Sequence, residues 1–270
     1  MLPDIVITSH LPDDKVKRQI RLDYHKRQCE ALKDSRFDDL LIRTYCSGYT
    51  EKEVRDFTAD FHNHVSTPSV SKWEKHNDVL EKLYAAAGPR AVLLLDDDVI
   101  PREVKEGELE DGLCDTAVLI RNWLLDPSQM CGPCAFFASA GLRFDAFWKS
   151  NQPLVTAPPQ VVGWAMMVRN DLGVLYDKEL VTDPGTGLVS TDYPFRTKCM
   201  AEGKVVVKHN RAFFKTFQSM TNTEKCSTWV GSHEERLRGR ELHARRMRTM
   251  FPGLFQKHRK PNTGSGFFTV

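Results

Sequence analysis

The apolar and polar positions of the chain alternate between short β-type runs and longer helical stretches. The clearest run is residues 91–95, Ala-Val-Leu-Leu-Leu, which leads directly into Asp96, Asp97 and Asp98. An unbroken apolar run of this length, with turn residues on both sides, is typical of a fully buried strand. The pattern therefore predicts a central strand that brings three carboxylates to the edge of a sheet.

The segments before this strand predict strands that alternate with helices. Apolar residues at helical spacing indicate a first helix with Val16, Ile20, Tyr24 and Leu32 on its inward face. The predicted strands cover residues 4–10 and part of 37–45, the predicted helices about 15–32, 51–61 and 72–87, and the predicted loop 63–71. This alternation favours a mostly parallel α/β sheet.

Fewer elements can be predicted after the carboxylates. Residues 117–125 fit either a helix or a strand, and Cys131 and Cys134 are interpreted as part of a structural turn. A strand is predicted at 161–168, a helix at 192–202, and a strand at 204–207 that delivers His209 at its carboxyl end. Asp192 would then lie at a helix start.

Composition limits the class of protein. The chain of 270 residues has ordinary apolar and charged fractions and a net charge of only +2. We expect a compact domain at 1–220 and a basic C-terminal region at 221–270 packed on it. No apolar run approaches a membrane span and the N-terminus does not resemble a signal peptide, so a cytoplasmic protein is expected. Seven scattered cysteines favour reduced thiols.

The three carboxylates have one functional and one structural interpretation. Adjacent carboxylates repel one another unless a cation lies among them, and hard oxygen ligands suit Mg²⁺ or Mn²⁺. A solvated acidic turn is the alternative. We favour the metal interpretation because the carboxylates follow a buried strand, and ligands bind at the carboxyl ends of strands in open α/β sheets.

Four features in this order resemble the GT-A fold of nucleotide-sugar glycosyltransferases. They are the Asp-any-Asp motif at 96–98, the glycine-bearing strand with Gly163 and Trp164, the acidic Asp192 and the later His209. The sequence departs from the pattern at position 191, where a threonine stands in place of the glutamate of many members.

The resemblance implies a GT-A type Rossmann-like mixed, mostly parallel central sheet flanked by helices, with a basic helical C-terminal region. It implies Mn²⁺- or Mg²⁺-dependent sugar transfer from a nucleotide sugar, with a UDP-sugar favoured, to a hydroxyl. Asp98 and His209 would hold the metal, and Asp192 would be the general base of an inverting reaction. A strand-end histidine and a plain helix N-cap aspartate are the structural alternatives for His209 and Asp192.

Donor contacts are expected where strands end and on one helix face. The alternatives are a strand cap for the strand-end residues, a solvated helix face for Lys72 and His76, and core packing for Trp164. The candidates are Thr8, Ser9, His10, Tyr45, Lys72, His76, Asp96, Asp97, Gly163 and Trp164.

Residues 190–195 and 248–254 resemble, more narrowly, phage DNA-modifying glycosyltransferases that act on hydroxymethyl-pyrimidine bases. That resemblance implies double-stranded DNA with 5-hydroxymethylcytosine-type bases as acceptor, bound through phosphate contacts of the basic tail. A solvated helix and a membrane-surface helix are the alternatives. The candidate nucleic-acid contacts are Arg245, Arg246, Arg248, Lys257, Arg259 and Lys260.

Three rival functions follow from the same motifs. The acceptor would be a glycan, lipid or protein in the first. In the second, the chain would be a catalytically inactive nucleic-acid-binding protein with a GT-A-like core. The third is a metal-dependent nucleotidyltransferase, which would release pyrophosphate rather than a nucleoside diphosphate.

Overall fold

The computed structural model covers most of the chain. It describes residues 1–33, 35–60, 64–68, 72–105, 107, 109, 113–139, 154–156, 165–182, 192–217, 233–255, 257–258 and 267–268. Gly163, Trp164, Arg259 and Lys260 lie outside these ranges, so the expectations for them stay predictions.

Strands and helices follow one another along the chain. The strands are β1 (Ile5–His10), β2 (Ile42–Ser47), β3 (His64–Pro68), β4 (Ala91–Asp96), β5 (Val99–Pro101), β6 (Cys134–Ser139), β7 (Leu154–Thr156), β8 (Ala165–Arg169), β9 (Val206–Thr216), β10 (Lys257–His258) and β11 (Phe267–Phe268). The helices are α1 (Lys15–Ala31), α2 (Glu51–Asp60), α3 (Lys72–Tyr84), α4 (Thr116–Leu125), α5 (Lys178–Val181), α6 (Asp192–Ala201) and α7 (His233–Met250).

Nine strands of the described chain form one mixed sheet. Its order is β3-β2-β1-β4-β8-β6-β9-β5, and β7 also pairs with β9. Parallel pairs join β1, β2, β3 and β4, and join β6 to β9, while β5, β7 and β8 pair antiparallel with their neighbours. The predicted mostly parallel α/β sheet is confirmed, and β4 lies in its interior as expected.

The run of apolar residues in β4 is continuous because helices pack on both faces of the strand. Leu93 and Leu95 belong to the core beneath α4, whereas Val92 and Leu94 belong to the core beneath α3 and α6. Successive side chains of a strand point to opposite faces, so a strand covered on both sides needs apolar residues at every position.

Two aspartates fix the starts of helices. Asp14 accepts hydrogen bonds from the backbone N–H groups of Val16 and Lys17, which begins α1. Asp115 does the same for α4, so residues 117–125, which periodicity left open, are helical. The Asp115 cap distinguishes a helix from a strand here, because the apolar pattern alone fits both.

Three predictions about local structure are wrong. Residues 64–68 form strand β3 instead of a loop, because β2 offers them a parallel partner. Val16 is 68% exposed, so it does not lie on the inward face of α1. The strand predicted at 204–207 extends to Thr216 as β9, because β6, β7 and β5 all pair with it.

Within the described residues, no helix combines the length and the apolar character needed to cross a bilayer.

Candidate active site

The carboxyl edges of β1 and β4 meet at the predicted carboxylates. Thr8 lies opposite Asp96 in the parallel register of the two strands. The Thr8 hydroxyl Oγ1 lies 3.4 Å from Oδ1 of Asp96 and 3.4 Å from the backbone oxygen of Leu95. This edge is where open α/β sheets bind ligands.

Lys72 connects two carboxylates at this edge. It is the first residue of α3, and Asp192 is the first residue of α6. The Lys72 ammonium Nζ lies 2.7 Å from Oδ1 of Asp96 and 3.6 Å from Oδ1 of Asp192. Burial alone would lower the pKa of Lys72, but the charges of Asp192 and Asp96 outweigh it and hold the pKa above its ordinary value. Lys72 is therefore a permanent cation between the two carboxylates.

These three side chains are open to solvent. The side chains of Lys72, Asp96 and Asp192 are 27%, 23% and 26% exposed. A ligand at the strand ends can therefore reach all three, and the structure brings together here two of the predicted donor-binding residues, Lys72 and Asp96, with the predicted base, Asp192.

Asp97 and Asp98 face the interior instead. The Asp97 side chain is completely buried, accepts a hydrogen bond from the Ser9 hydroxyl and pairs with the Arg21 guanidinium. Arg21 Nη1 also lies 3.2 Å from Oδ2 of Asp98. Burial raises the pKa of Asp98, and the Arg21 charge only partly offsets it. These two carboxylates and Arg21 form a buried charge cluster that fixes the end of β4.

Helix α1 supplies further support for this turn. Gln28 Nε2 donates to the backbone oxygens of Asp96 and Val99, both at 2.6 Å. The hydroxyls of Ser9 and Tyr49 lie 2.6 Å apart, and the Tyr49 hydroxyl lies 2.8 Å from Nδ1 of His25. Sequence reasoning missed this polar face, although Arg21, His25 and Gln28 recur at helical spacing.

His209 does not join Asp98. It pairs with Phe137 and Leu154 in the middle of β9, whereas Asp98 precedes Val99, which pairs with Thr216 at the end of β9. The register shift in β6 and the residues of β9 between His209 and Thr216 separate the two positions, so His209 and Asp98 lie at different points along the sheet.

The buried His209 ring has its own partners. Its Nδ1 accepts the N–H of Ala212 at 2.9 Å, and the ring packs against Trp123 and Phe137. Burial, with a smaller effect of the Arg211 charge, lowers the pKa of His209 to about 4. The expectation of a strand-end histidine was wrong because β9 continues past this position.

A divalent metal therefore does not fit the carboxylates as they stand. Asp96 faces Lys72, and Asp97 and Asp98 face Arg21, so each carboxylate already has a cation of the protein beside it. Across the described residues, no group of three His, Cys, Asp or Glu side chains is placed to hold a metal ion.

Other predicted donor contacts divide between edge and core. His10 is exposed, with Nδ1 2.9 Å from the Ser47 hydroxyl. Tyr45 is buried in the core beneath α3, and His76 is buried with Nδ1 3.2 Å from the Tyr176 hydroxyl. Burial, assisted by nearby lysines, lowers the pKa of His76 well below its ordinary value. Tyr45 and His76 thus lie in the core, so the structural alternatives for them, a strand cap for Tyr45 and a solvated helix face for His76, are wrong as well.

A cavity of about 360 Å³ opens beside this edge, where β2 ends and α2 begins. Ser47, Tyr49 and Val54 contribute to its lining. Ser47 is the register partner of His10, so the cavity continues the edge formed by β1 and β4.

The basic helix α7 presents part of its predicted charge to solvent. Arg245 and Arg248 are exposed, whereas Arg246 Nη1 donates to the backbone oxygen of Thr182 at 3.0 Å. Burial raises the pKa of Tyr193, and the charges of Arg196 and Arg248 oppose that shift. Arg248 therefore lies close enough to act on the neighbour of Asp192.

Comparison with known proteins identifies the fold. No protein-family profile and no curated protein sequence matches the chain. The crystal structure of GalNAc-T7 with UDP, GalNAc and Mn²⁺ matches with a TM-score of 0.50 at 10% identity, over 86% of this chain and 45% of that one. The chain has the α/β fold of nucleotide-sugar transferases of the GT-A type, and spans less than half of GalNAc-T7.

Two further solved structures are similar at lower TM-scores. S. aureus TarS 1-349 in complex with UDP-GlcNAc has a TM-score of 0.45 and 14% identity, over 89% of this chain and 65% of that chain. The inositol-1-phosphate CTP transferase from T. maritima has a TM-score of 0.48 and 11% identity, over 88% of this chain and 96% of that chain.

Proposed function

We propose that the protein is a nucleotide-sugar glycosyltransferase. The observation that carries the proposal is the Lys72 ammonium between Asp96 and Asp192 at the carboxyl edge of the sheet. Sugar transfer needs a cation for the diphosphate, a base for the acceptor hydroxyl and polar contacts for the sugar or ribose. Lys72 would supply the cation, Asp192 the base and Asp96 the polar contact, and all three side chains are reachable from solvent.

The donor would lie along the ends of β1, β2 and β4. Thr8 and Asp96 would contact the sugar or ribose, and the cavity at the end of β2 would take the nucleotide base. A UDP-sugar is our first choice, because GalNAc-T7, which shares the fold, was solved with UDP.

Asp192 would act as the general base. The acceptor oxygen forms a bond to the anomeric carbon, the bond from that carbon to the diphosphate oxygen breaks, and its electron pair leaves with the nucleoside diphosphate. The acceptor proton passes to the Asp192 carboxylate. Direct attack by the acceptor would invert the configuration of the anomeric carbon.

A hydroxyl of a glycan, lipid or protein is the proposed acceptor. The likeness to GalNAc-T7 supports a glycosyltransferase fold and gives no support to the narrower phage DNA-modifying group.

A DNA acceptor is a second candidate because of the two exposed arginines of α7. Each phosphate that a protein contacts adds about −0.9 to the slope of log affinity against log salt. If Arg245 and Arg248 bind duplex DNA, their joint replacement by Ala will flatten that slope by up to about 2 units. Arg90→Ala is the control, since exposed Arg90 precedes β4 at the opposite edge of the sheet. An unchanged slope would remove DNA as the acceptor.

The donor is tested by thermal unfolding with a panel of nucleotide sugars. A donor present at 100 times its dissociation constant stabilises the native state by about 2.7 kcal/mol. We expect one donor to raise the unfolding temperature of the parent and to lose that effect in Asp96→Ala. If no nucleotide sugar shifts the transition, the proposed function is wrong.

A further inference from the structure

Lys75 is a largely buried lysine for which the described part of the chain provides no partner. It lies in α3 and is only 5% exposed. Among the described residues, it makes no hydrogen bond and no ion pair. Proteins avoid burying an unpaired ammonium because its desolvation is costly, so such a group marks a candidate functional site.

The surroundings of Lys75 place it at the same edge as Lys72. Its charge acts on the ring of His10 at the end of β1, and it is itself affected by Cys46 near the end of β2 and by Lys72. Residues three apart on a helix share one face, so the two ammonium groups lie along the same side of α3. Two lysines thus line the ends of β1, β2 and β4.

The carboxylates at this edge cannot be counted as free metal ligands. Lys72 lies between Asp96 and Asp192, which is the position a divalent cation would need in order to use both. Arg21 forms buried ion pairs with Asp97 and Asp98. The protein therefore carries its own positive charges beside each of the carboxylates that the sequence offered as metal ligands.

We propose that Lys72 and Lys75 bind the diphosphate of the donor directly, in place of a divalent metal. The proposal rests on the nucleotide-sugar donor proposed above. The diphosphate supplies the anionic partner that Lys75 lacks, and Lys72 bridges the diphosphate to Asp96. The two charges then stabilise the negative charge that develops on the leaving diphosphate as its bond to the sugar breaks.

Calorimetric titration of the full chain with UDP, GDP, CDP, ADP and dTDP tests this proposal. Each titration is done once in EDTA and once with Mn²⁺. We expect one nucleoside diphosphate to bind with the same affinity in both buffers. Lys72→Met and Lys75→Met should each weaken that binding about tenfold or more, the usual worth of a hydrogen bond to a charged group.

Lys82→Met is the matched control, because exposed Lys82 lies on the same helix and pairs with Asp78. It should bind like the parent, and a cooperative unfolding transition of each variant confirms that it is folded. Lys75→Ala repeats the test with a smaller side chain.

Each remaining outcome overturns the proposal in a distinguishable way. Binding that requires Mn²⁺ and is lost in EDTA would contradict it while leaving the glycosyltransferase function intact. Parent-like affinity of both folded lysine variants in EDTA would also contradict it. If none of the five nucleoside diphosphates binds in either buffer, the donor assignment fails and this proposal fails with it.

Discussion

At the scale of single residues, charge pairing overrides the rule that a helix turns apolar side chains inward. Arg21 lies on the buried face of α1, although a sequence pattern places arginine outside. Its burial is tolerated because Asp97 and Asp98 accept its charge. The carboxylates could be singled out from the sequence, but their buried partner could not, since the helical spacing of Arg21 marks a polar helix face without showing that this face is buried.

Replacing Arg21 tests this cluster. Arg21→Ala would leave two buried carboxylates without their cation, and removing one partner of a buried ion pair costs about 3–5 kcal/mol. We expect urea unfolding to show a loss of that size. Lys82→Ala, which breaks an exposed pair, should change stability by less than about 0.5 kcal/mol. A loss for Arg21→Ala as small as that of the control would refute the structural role.

Lys75 should make stability depend on pH. Burial and the Lys72 charge, opposed by Cys46, lower the pKa of Lys75 from 10.5 to about 8. Between these values the unfolded chain binds more protons than the native state, so the native state gains stability as pH rises. Below pH 8 the full cost of burying the ammonium remains.

Lys75→Met removes this cost, so it should be more stable than the parent at pH 7. The difference should shrink as pH rises from about 8 toward 10.5. Urea unfolding of both proteins at one-unit pH intervals measures it. A difference that does not change with pH would show that the Lys75 charge is not the cause.

At the scale of elements, a glycine allows the turn from β2 to α2. Gly48 has a φ of +73°, and a Cβ there would lie 2.1 Å from the backbone oxygen of Leu11. The close approach arises because the Leu11 N–H donates to the Ser47 oxygen at 2.9 Å. The turn thus joins the chain after β1 to the end of β2.

Comparison of two glycines separates strain from crowding. Gly88 also has a φ of +73°, but a Cβ there would meet nothing within 4 Å. Gly88→Ala should cost about 1–2 kcal/mol, the left-handed backbone penalty alone. Gly48→Ala should cost more, because the Leu11 backbone must also move. Equal losses in urea unfolding would contradict the close contact.

Element prediction succeeded where local signals are strong. β1, α1, β4 and α6 lie close to their predicted positions, because apolar runs, helix caps and glycine stops act over a few residues. β3 and most of β9 were missed. These segments form strands because neighbouring strands pair with them, and a local stretch of sequence does not show which distant strand will pair with it. Their sequences are His-Val-Ser-Thr-Pro and a stretch that begins Lys-His-Asn-Arg.

At the scale of the whole molecule, the candidate site is a meeting of three chain segments. Lys72 begins α3, Asp96 ends β4 and Asp192 begins α6. Each was a candidate from sequence, Asp96 as the end of a buried strand, Asp192 as an acidic residue at a helix start, and Lys72 through its place on a helix face. Their distances could not be predicted, because they depend on how α3 and α6 pack over the sheet.

Product analysis with an Asp192 variant tests the central claim most directly. The parent and Asp192→Asn are incubated with the donor found by thermal unfolding and with glycan, lipid, protein and DNA acceptors. The parent should release a nucleoside diphosphate in step with glycosylated acceptor. Asp192→Asn should bind the donor with unchanged affinity but turn over about 10²–10⁴-fold more slowly, because it lacks the base. Release of pyrophosphate by the parent, or parent-like turnover by Asp192→Asn, would contradict the account.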